Sequence, residues 1–435
     1  MTFLANEFKP QTQIIAKTWR GETYDITGSL FSWSRTKTLS QAPGTFAIQL
    51  TAKRDSKGRT WADLLEAMDY IEIRASKNGK RISGELPVIM RGFLDTTPQS
   101  LSFGASGGPS EPRINLTGRD YTKLLLEWQI LYLFTQNTAK KGGNAALLQA
   151  QAQGFGLFYN FHLPIMPVSI TSFFEDAFAK LVHPIFGGFV QGYHFVDLPV
   201  FIGQFDYPDY PMSSMNVLSY TGSYWNLFEY LASPPFGELF VIDTQEAPTL
   251  IGRMTPYQTV TGETPYPGKA LPVAADIIGV PSVDVQRSDT DVYTYFLTYG
   301  ASTQITGLTV PAFVTGKGNG VQTKYADLYG VRPLELDTSW IAEYDANTPG
   351  KPNTSAIGIG SELNQWLIAT QGENQFWYSG TVDCHGNEDY FIGTYVRDPV
   401  GKRIYYLSAI QDNYDYEGNR WDATLQVVRG RDEGA

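Results

Sequence analysis

Period-two alternation at both ends of the chain is the feature that most limits its fold. Near the start, Phe46, Ile48, Leu50 and Ala52 alternate with polar neighbours behind the turn Ala42-Pro43-Gly44. Ile71, Ile73 and Ala75 repeat the pattern against Tyr70, Glu72 and Arg74. Side chains change face at every step of a strand, so such alternation marks strands buried on one side. Residues 88–94 and 114–117 extend the set. One short helix interrupts it, with Thr60 as cap, Asp63 three residues on, and Trp61, Leu64, Leu65 and Met68 along one face. The last sixty residues alternate again, over 376–382, 390–396, 403–410 and 423–428, with polar turns between them. The final two of these segments read as an antiparallel hairpin. Two β blocks therefore bracket a middle of different character.

That middle begins where a strand runs directly into a helix. In the stretch from Asn115 to Trp128, Gly118 permits a sharp change of direction and Asp120 is placed to cap, while Tyr121, Leu124, Leu125 and Trp128 form the buried stripe. Residues 104–112 are a loop tip by composition, and 137–170 read as irregular. Ser172 and Glu175 have capping-box spacing before a helix that buries Phe173, Phe174, Phe178, Leu181 and Val182. The Pro/Tyr-rich segment 201–211 reads as a loop. Ser223 opens a helix with Trp225, Phe228 and Leu231 on one side, which ends at Pro234-Pro235 before a strand over 239–242. Strands return from about residue 276, including 292–299, followed by loop-rich sequence through 360.

Composition narrows the chemistry. At 435 residues, with 42% hydrophobic and 18% charged side chains, the chain has material for about three domains of roughly 150 residues. A single cysteine, Cys384, rules out intrachain disulfides and all-cysteine metal sites, and four histidines leave little for a histidine centre. His183 and His194 stand eleven apart across Pro184 and several glycines, which is not a ligand frame. The run Gly316-Lys-Gly-Asn-Gly320 lacks the spacing of a phosphate-cradling loop and reads as a surface turn. Cys384-His385 reads as part of a turn rather than a nucleophile pair. A glycosidase needs only two carboxylates, and Asp206 with Asp209, Glu388 with Asp389, or the acids of 412–417 would supply them. Acidic Tyr/Pro loops also occur without catalysis. The net charge of −11 is uneven: residues 1–120 are net positive, and no Lys or Arg stands between Lys180 and Arg253, where aromatics are dense. Nucleic-acid binding runs on Lys and Arg, so this balance argues against a chain that clings to DNA. The aromatics suit either a packed core or an extensive subunit contact. The start carries no basic, apolar leader, and no window approaches the ~20 apolar residues of a membrane span.

The order of motifs resembles a family. Phe31-Ser-Trp-Ser, then Pro43-Gly-Thr-Phe-Ala-Ile-Gln-Leu, Asp69-Tyr-Ile-Glu-Ile, Met90-Arg-Gly-Phe-Leu-Asp95 and Leu116-Thr-Gly-Arg-Asp-Tyr-Thr-Lys-Leu-Leu125 are similar to the opening of bacteriophage tail baseplate hub proteins. Late-control D proteins and the base of secretion-system spikes share that opening. Trp225 to Arg253 and the closing segment from Ile404 to Gly430 fit the same family. The resemblance implies an α+β, predominantly β chain. Two tail-tube-like β-barrel or sandwich domains, at 1–122 and at 276–305 plus 360–435, would bracket a mixed α+β domain at 123–275 and a loop-rich insert at 306–359. It marks Gly118, Arg119 and Asp120 as structural motif residues and implies no catalytic residue, cofactor or metal. It implies a homotrimer that presents six similar barrels to a six-fold tail tube protein and three-fold symmetry to a central spike protein, with wedge and tape measure proteins as further neighbours. DNA would pass through the lumen without specific binding, past a wall where carboxylates outnumber Lys and Arg. The chain stops about five residues beyond Gly430, so the spike is expected to be a separate protein. The expected location is the virion, after assembly in the host cytoplasm. The rivals are a spike-base hub of a related contractile injection or secretion system, a non-contractile tail tip, and a glycan or peptidoglycan hydrolase.

Overall fold

A computed structural model describes residues 8–39, 41–96, 101–102, 113–130, 168–192, 195, 197–212, 222–232, 234–300, 302–305, 308–311, 321–338 and 354–434. The loop tip 104–112, nearly all of 137–170, His194 and the glycine run 316–320 lie outside the described residues. The first β unit contains β1 (Gln11–Lys17), β2 (Thr23–Asp25), β3 (Leu30–Thr38), β4 (Thr45–Thr51), α1 (Trp61–Leu64), β5 (Tyr70–Ser76), β6 (Val88–Leu94) and β7 (Arg113–Asp120). In the middle are α2 (Thr122–Glu127), α3 (Ile170–Ala177), a wider π-turn at Phe178–Val182, α4 (His183–Gly192), β8 (Ile202–Asp206), α5 (Tyr224–Leu231), β9 (Gly237–Asp243) and β10 (Pro248–Met254). Then come β11 (Val273–Asp276), β12 (Ser282–Arg287), β13 (Tyr295–Gly300), β14 (Pro333–Thr338), α6 (Thr354–Gln371), β15 (Tyr378–His385), β16 (Tyr395–Asp398), β17 (Arg403–Asp415) and β18 (Arg420–Asp432). The molecule is mostly β, as the alternation at both ends predicts.

Both β blocks belong to one 14-stranded sheet, whose path runs β12-β15-β18-β17-β3-β4-β7-β6-β5-β1-β2. The closing hairpin makes this possible. Each arm is 13 residues long, ~43 Å at strand rise, which is longer than either unit needs. The first residues of β17 pair with β16 (Asp398 opposite Arg403), and its last seven pair with β3 (Ala409 opposite Thr38 through Asp415 opposite Ser32). Register shifts in the hairpin at 404/406 and 407/409 bend it where it leaves one partner for the other. Neither unit closes into a hydrogen-bonded barrel among the described residues. The edge of β3 that closure would need is occupied by β17.

The cores of the two β units follow from the alternation. Ile14, Ile48, Leu50, Ile73, Ile114 and Leu116 fill the first unit, together with Tyr414 and Trp421 from the hairpin tip. Val382, Leu407, Leu425 and Val427 fill the second, together with Phe240 and Ile251 from the middle. The middle buries an aromatic mass in which Phe174 stacks on Phe205, Tyr207 and Phe228 at 5.1–5.5 Å between ring centres. Of the two uses open to the aromatics, core filling accounts for those of the middle.

Several local expectations need correction. Segment 201–211 is not all loop: Ile202–Asp206 pairs in parallel with β10 and buries Phe205, and Pro208 and Pro211 follow the strand instead of breaking it. The cap of α3 is Ser169, whose Oγ accepts the Ser172 N–H at 3.2 Å, so the helix starts before the Ser172–Glu175 pair. Cys384-His385 ends strand β15 instead of forming a turn, because Cys384 faces the second core. The strand expected over 390–396 shrinks to β16, since Tyr390 and Ile392 are buried from a loop. Helix α6 begins inside the sequence expected to be loop-rich through 360, and its Leu363, Trp366, Leu367 and Thr370 recur at helical spacing and are buried.

A buried ion pair pins the hairpin. Arg35 Nε lies 2.5 Å from Asp412 Oδ2, with side-chain exposures of 4% and 0%. Trp421 Nε1 donates to Asp412 Oδ1 at 3.0 Å, Arg35 also donates to the Ile89 carbonyl, and Trp33 stacks on Tyr414 at 5.6 Å. Removing one partner of such a pair strands the other charge. Asp412→Ala is therefore expected to lower unfolding free energy by about 3–5 kcal/mol in urea titrations, and the double change Arg35→Met with Asp412→Leu to recover most of it.

Candidate functional surface

The motif at the end of β7 forms a packed corner. Gly118 lies opposite Phe46 and Leu94, and a Cβ there would run into the Phe46 ring and the Phe93 carbonyl. Arg119 reaches out, with Nε 2.7 Å from Asp95 Oδ1 and Nη2 2.6 Å from Glu127 Oε1. Asp120 turns inward. Its N–H donates to the Gly44 carbonyl at 2.9 Å and its Oδ1 accepts the Thr122 N–H at 3.0 Å. It therefore serves the first turn of α2 from one residue further out than expected, since the helix begins at Thr122.

Three buried charge clusters join the units. Lys37 Nζ, from β3, lies 3.5 Å from Asp120 Oδ2 and 2.6 Å from Asp243 Oδ2, and donates to the Val241 carbonyl at 3.1 Å. Burial raises the Asp120 carboxyl above its usual range; Lys37 opposes this and Asp243 adds to it. Beside them Arg91 binds Glu72 at 2.9 Å and the Gln245 carbonyl at 2.9 Å, and Arg74 reaches Glu72 at 2.6 Å. Burial works against the Glu72 charge, but the two guanidiniums outweigh it and lower its pKa. Between the middle and the second β unit, Arg253 Nε and the Tyr406 hydroxyl both bind Glu238, at 2.6 Å. The start of the Asp69-Tyr-Ile-Glu-Ile motif is a further buried acid. Asp69 accepts the N–H groups of Trp19 at 3.0 Å and Glu66 at 2.8 Å, and burial pushes it up to about 6.

The largest shared feature lies on the side of the sheet away from the two cores. Cross-strand registers align its outward residues in rows that run from one unit into the other. One row is Asn115, Gln49, Ser32, Asp415 and Arg420, and the next is Thr117, Ala47, Ser34, Asn413 and Asp422. A third runs Arg119, Thr45, Thr36, Gln411, Thr424, Asp383 and Ser282. A fourth carries Thr38, Ala409, Gln426, Thr381 and Asp284. None of these residues is buried, and none is large and apolar. Four aspartates stand in these rows against Arg119 and Arg420, and Arg420 is itself held 2.5 Å from Asp422. Sequence reading located the strands but not this face, because only register brings residues 300 positions apart into one row.

Apart from Asp415, which stands in the first row, the candidate chemical groups lie elsewhere, and most are engaged. Asp206 pairs with Lys269, and Asp209 is exposed. Glu388 accepts from Ser76 Oγ at 3.2 Å and the Lys77 N–H at 2.9 Å, and Asp389 pairs with Lys77. Asp412 belongs to the buried Arg35 pair. His183 Nε2 lies 3.0 Å from the Phe201 carbonyl, and burial pushes the Cys384 thiol up to about 12. Among the described residues no cluster of His, Cys, Asp or Glu is arranged to hold a metal, and no helix is long and apolar enough to cross a membrane.

No protein-family model matches the chain, and no curated protein matches it in sequence. Among solved structures it is similar to the 43 kDa tail protein of prophage MuSo2 from Shewanella oneidensis, at 14% identity and TM-score 0.46 over 96% of this chain and 97% of that one. It is similar to a tail protein from Neisseria meningitidis, at 9% identity and TM-score 0.47 over 96% of each chain. It is also similar to a prophage tail protein, gp18, from Listeria monocytogenes, at 10% identity and TM-score 0.46 over 96% of this chain and 94% of that one.

Two outcomes test the corner and the buried acid. Gly118→Ala forces Phe46 aside and is expected to cost about 1–3 kcal/mol in chemical denaturation. Asp69 has a folded pKa near 6, above its ordinary 3.8. Its contribution to stability is thus full below the unfolded value and lost as pH rises through the folded one. Thermal melts across this range are expected to show the wild type losing stability relative to Asp69→Asn as pH rises.

Proposed function

We propose that this protein is the central hub of a phage tail baseplate, a structural component of the virion without catalysis. The observation that carries the reading is the polar, weakly acidic sheet face that runs without interruption across both β units. Polyanionic DNA is not trapped by a surface of hydroxyls, amides and carboxylates. Three copies, each contributing two β units, would set six such units around one lumen and so match a six-fold tail tube on one side and a three-fold spike on the other. The sheet path supports assembly. Among the described residues it ends in two strands paired on one side only, β12 and β2, and β12 is exposed on both faces apart from Val285. Unpaired edges of this kind invite pairing with another chain. The motif residues Gly118, Arg119 and Asp120 act in this reading as the corner that seats the first β unit on the middle.

The spike-base hub of a secretion system is the second reading, favoured by the same face and the same motif order. A glycan hydrolase is less well supported, because Glu388 and Asp412 are each tied to a structural partner. Multi-angle light scattering on the purified protein is expected to give about three times the 48.4 kDa chain mass, with a central hole in images of the particle. A monomer at micromolar concentration would count against the hub.

A further inference from the structure

Between the sheet β8-β10-β9 and the second β unit lies a cleft of about 310 Å³. Phe240 and Ile251 from the sheet, Phe391 and Ile392 from the second unit, and Pro256 and Leu271 line it. Cavities of this size at the junction of two units are where ligands commonly bind. The space holds on the order of ten waters at ~30 Å³ each. Against such walls those waters find few polar partners, so an apolar group displaces them readily.

The charges of the lining are equally specific. The charged residues of the lining are Asp206, Arg253 and Lys269, and no Lys or Arg occurs from 181 to 252. Arg253 is fixed: Nε binds Glu238, Nη2 binds the Gly393 carbonyl, and the guanidinium lies 5.3 Å from the centre of the Phe240 ring. Lys269 is not fixed in that way. It pairs with Asp206 at the mouth, where the two side chains are 70% and 41% exposed. An exposed pair of this kind exchanges partners at little cost.

We propose that the cleft binds an apolar monocarboxylate. Its hydrocarbon or aromatic body lies against these apolar side chains, and its carboxylate exchanges onto Lys269 at the mouth. A free acyl chain and an apolar C-terminal residue of a polypeptide present the same chemistry.

Calorimetric titration of the full chain with decanoate, with N-acetyl-leucyl-phenylalanine, and with the neutral amide of each tests the assignment. At least one acid is expected to bind tenfold or more tightly than its amide. Lys269→Glu, at an exposed position, should weaken that acid at least tenfold and leave the amide unchanged. Leu271→Trp, which fills the cleft, should weaken both, with an unchanged circular dichroism spectrum as the check on folding. Binding of decanoate alone supports the site and assigns an acyl source; binding of the peptide acid alone supports it and assigns a chain terminus. Absence of heat with both acids up to millimolar concentration, equal affinity for acid and amide, or undiminished acid binding by Lys269→Glu would each overturn the proposal.

Discussion

The closing hairpin crosses from one β unit into the other, and the buried contact between Arg35 and Asp412 holds its tip in place. Trp421 donates to the same carboxylate, and Trp33 and Tyr414 stack beside it, so charge, hydrogen bonding and apolar burial converge on one point. Because β17 hydrogen-bonds to β3, the two units form one sheet instead of two bodies on a tether. The continuous polar face exists only because of that register. An ion pair this deep stabilises little compared with an apolar replacement, but a broken one is costly. Its physical effect is to penalise any arrangement in which the hairpin does not reach the first unit.

The same device recurs at the other seams. Lys37 ties β3 and β7 to β9, Arg91 links β6 to the β9–β10 turn through the Thr244 and Gln245 carbonyls, and Arg253 ties β10 to Tyr406 of β17 through Glu238. In the first two, a cation from one unit satisfies acceptors on another, and in the third the Tyr406 hydroxyl donates across the seam to the carboxylate that holds Arg253; unpaired, these groups would bear the full cost of burial. Apolar packing tolerates small slides between units, whereas charged hydrogen bonds require particular positions. The joints therefore favour a fixed placement of the units relative to one another. The cleft at the β8-β10-β9 sheet is the contrasting region, where packing between the units is incomplete and the closing pair, Lys269 with Asp206, is exposed.

Much of the fold could be read from residues. Alternation at 46–52 and 71–75 gave strands at those positions, Ser223 caps α5 as its spacing predicts, and the hairpin was foreseen, though shorter than it is. The errors share a cause. Residues 202–206 form a strand because β10 offers a parallel partner, and α6 forms because Trp366 and Leu367 have an aromatic core to enter. In both, local signals were mixed, with prolines nearby in one and glycines in the other, and long-range contact decided the outcome. Asp120 and Asp69 were legible as motif residues, but their burial and raised pKa values come from neighbours distant in sequence.

By itself the sequence determined which segments are strands and which faces they bury, because that information lies in a period of two residues and needs no partner. It also determined the charge balance and the single cysteine. Only the tertiary structure decided that the two β blocks are one sheet, that its outward rows are polar across the seam, and that Asp412 is buried against Arg35 when sequence placed it in a turn. Register and pairing are relations between segments hundreds of residues apart, and they are fixed by packing and buried charge that no local window contains.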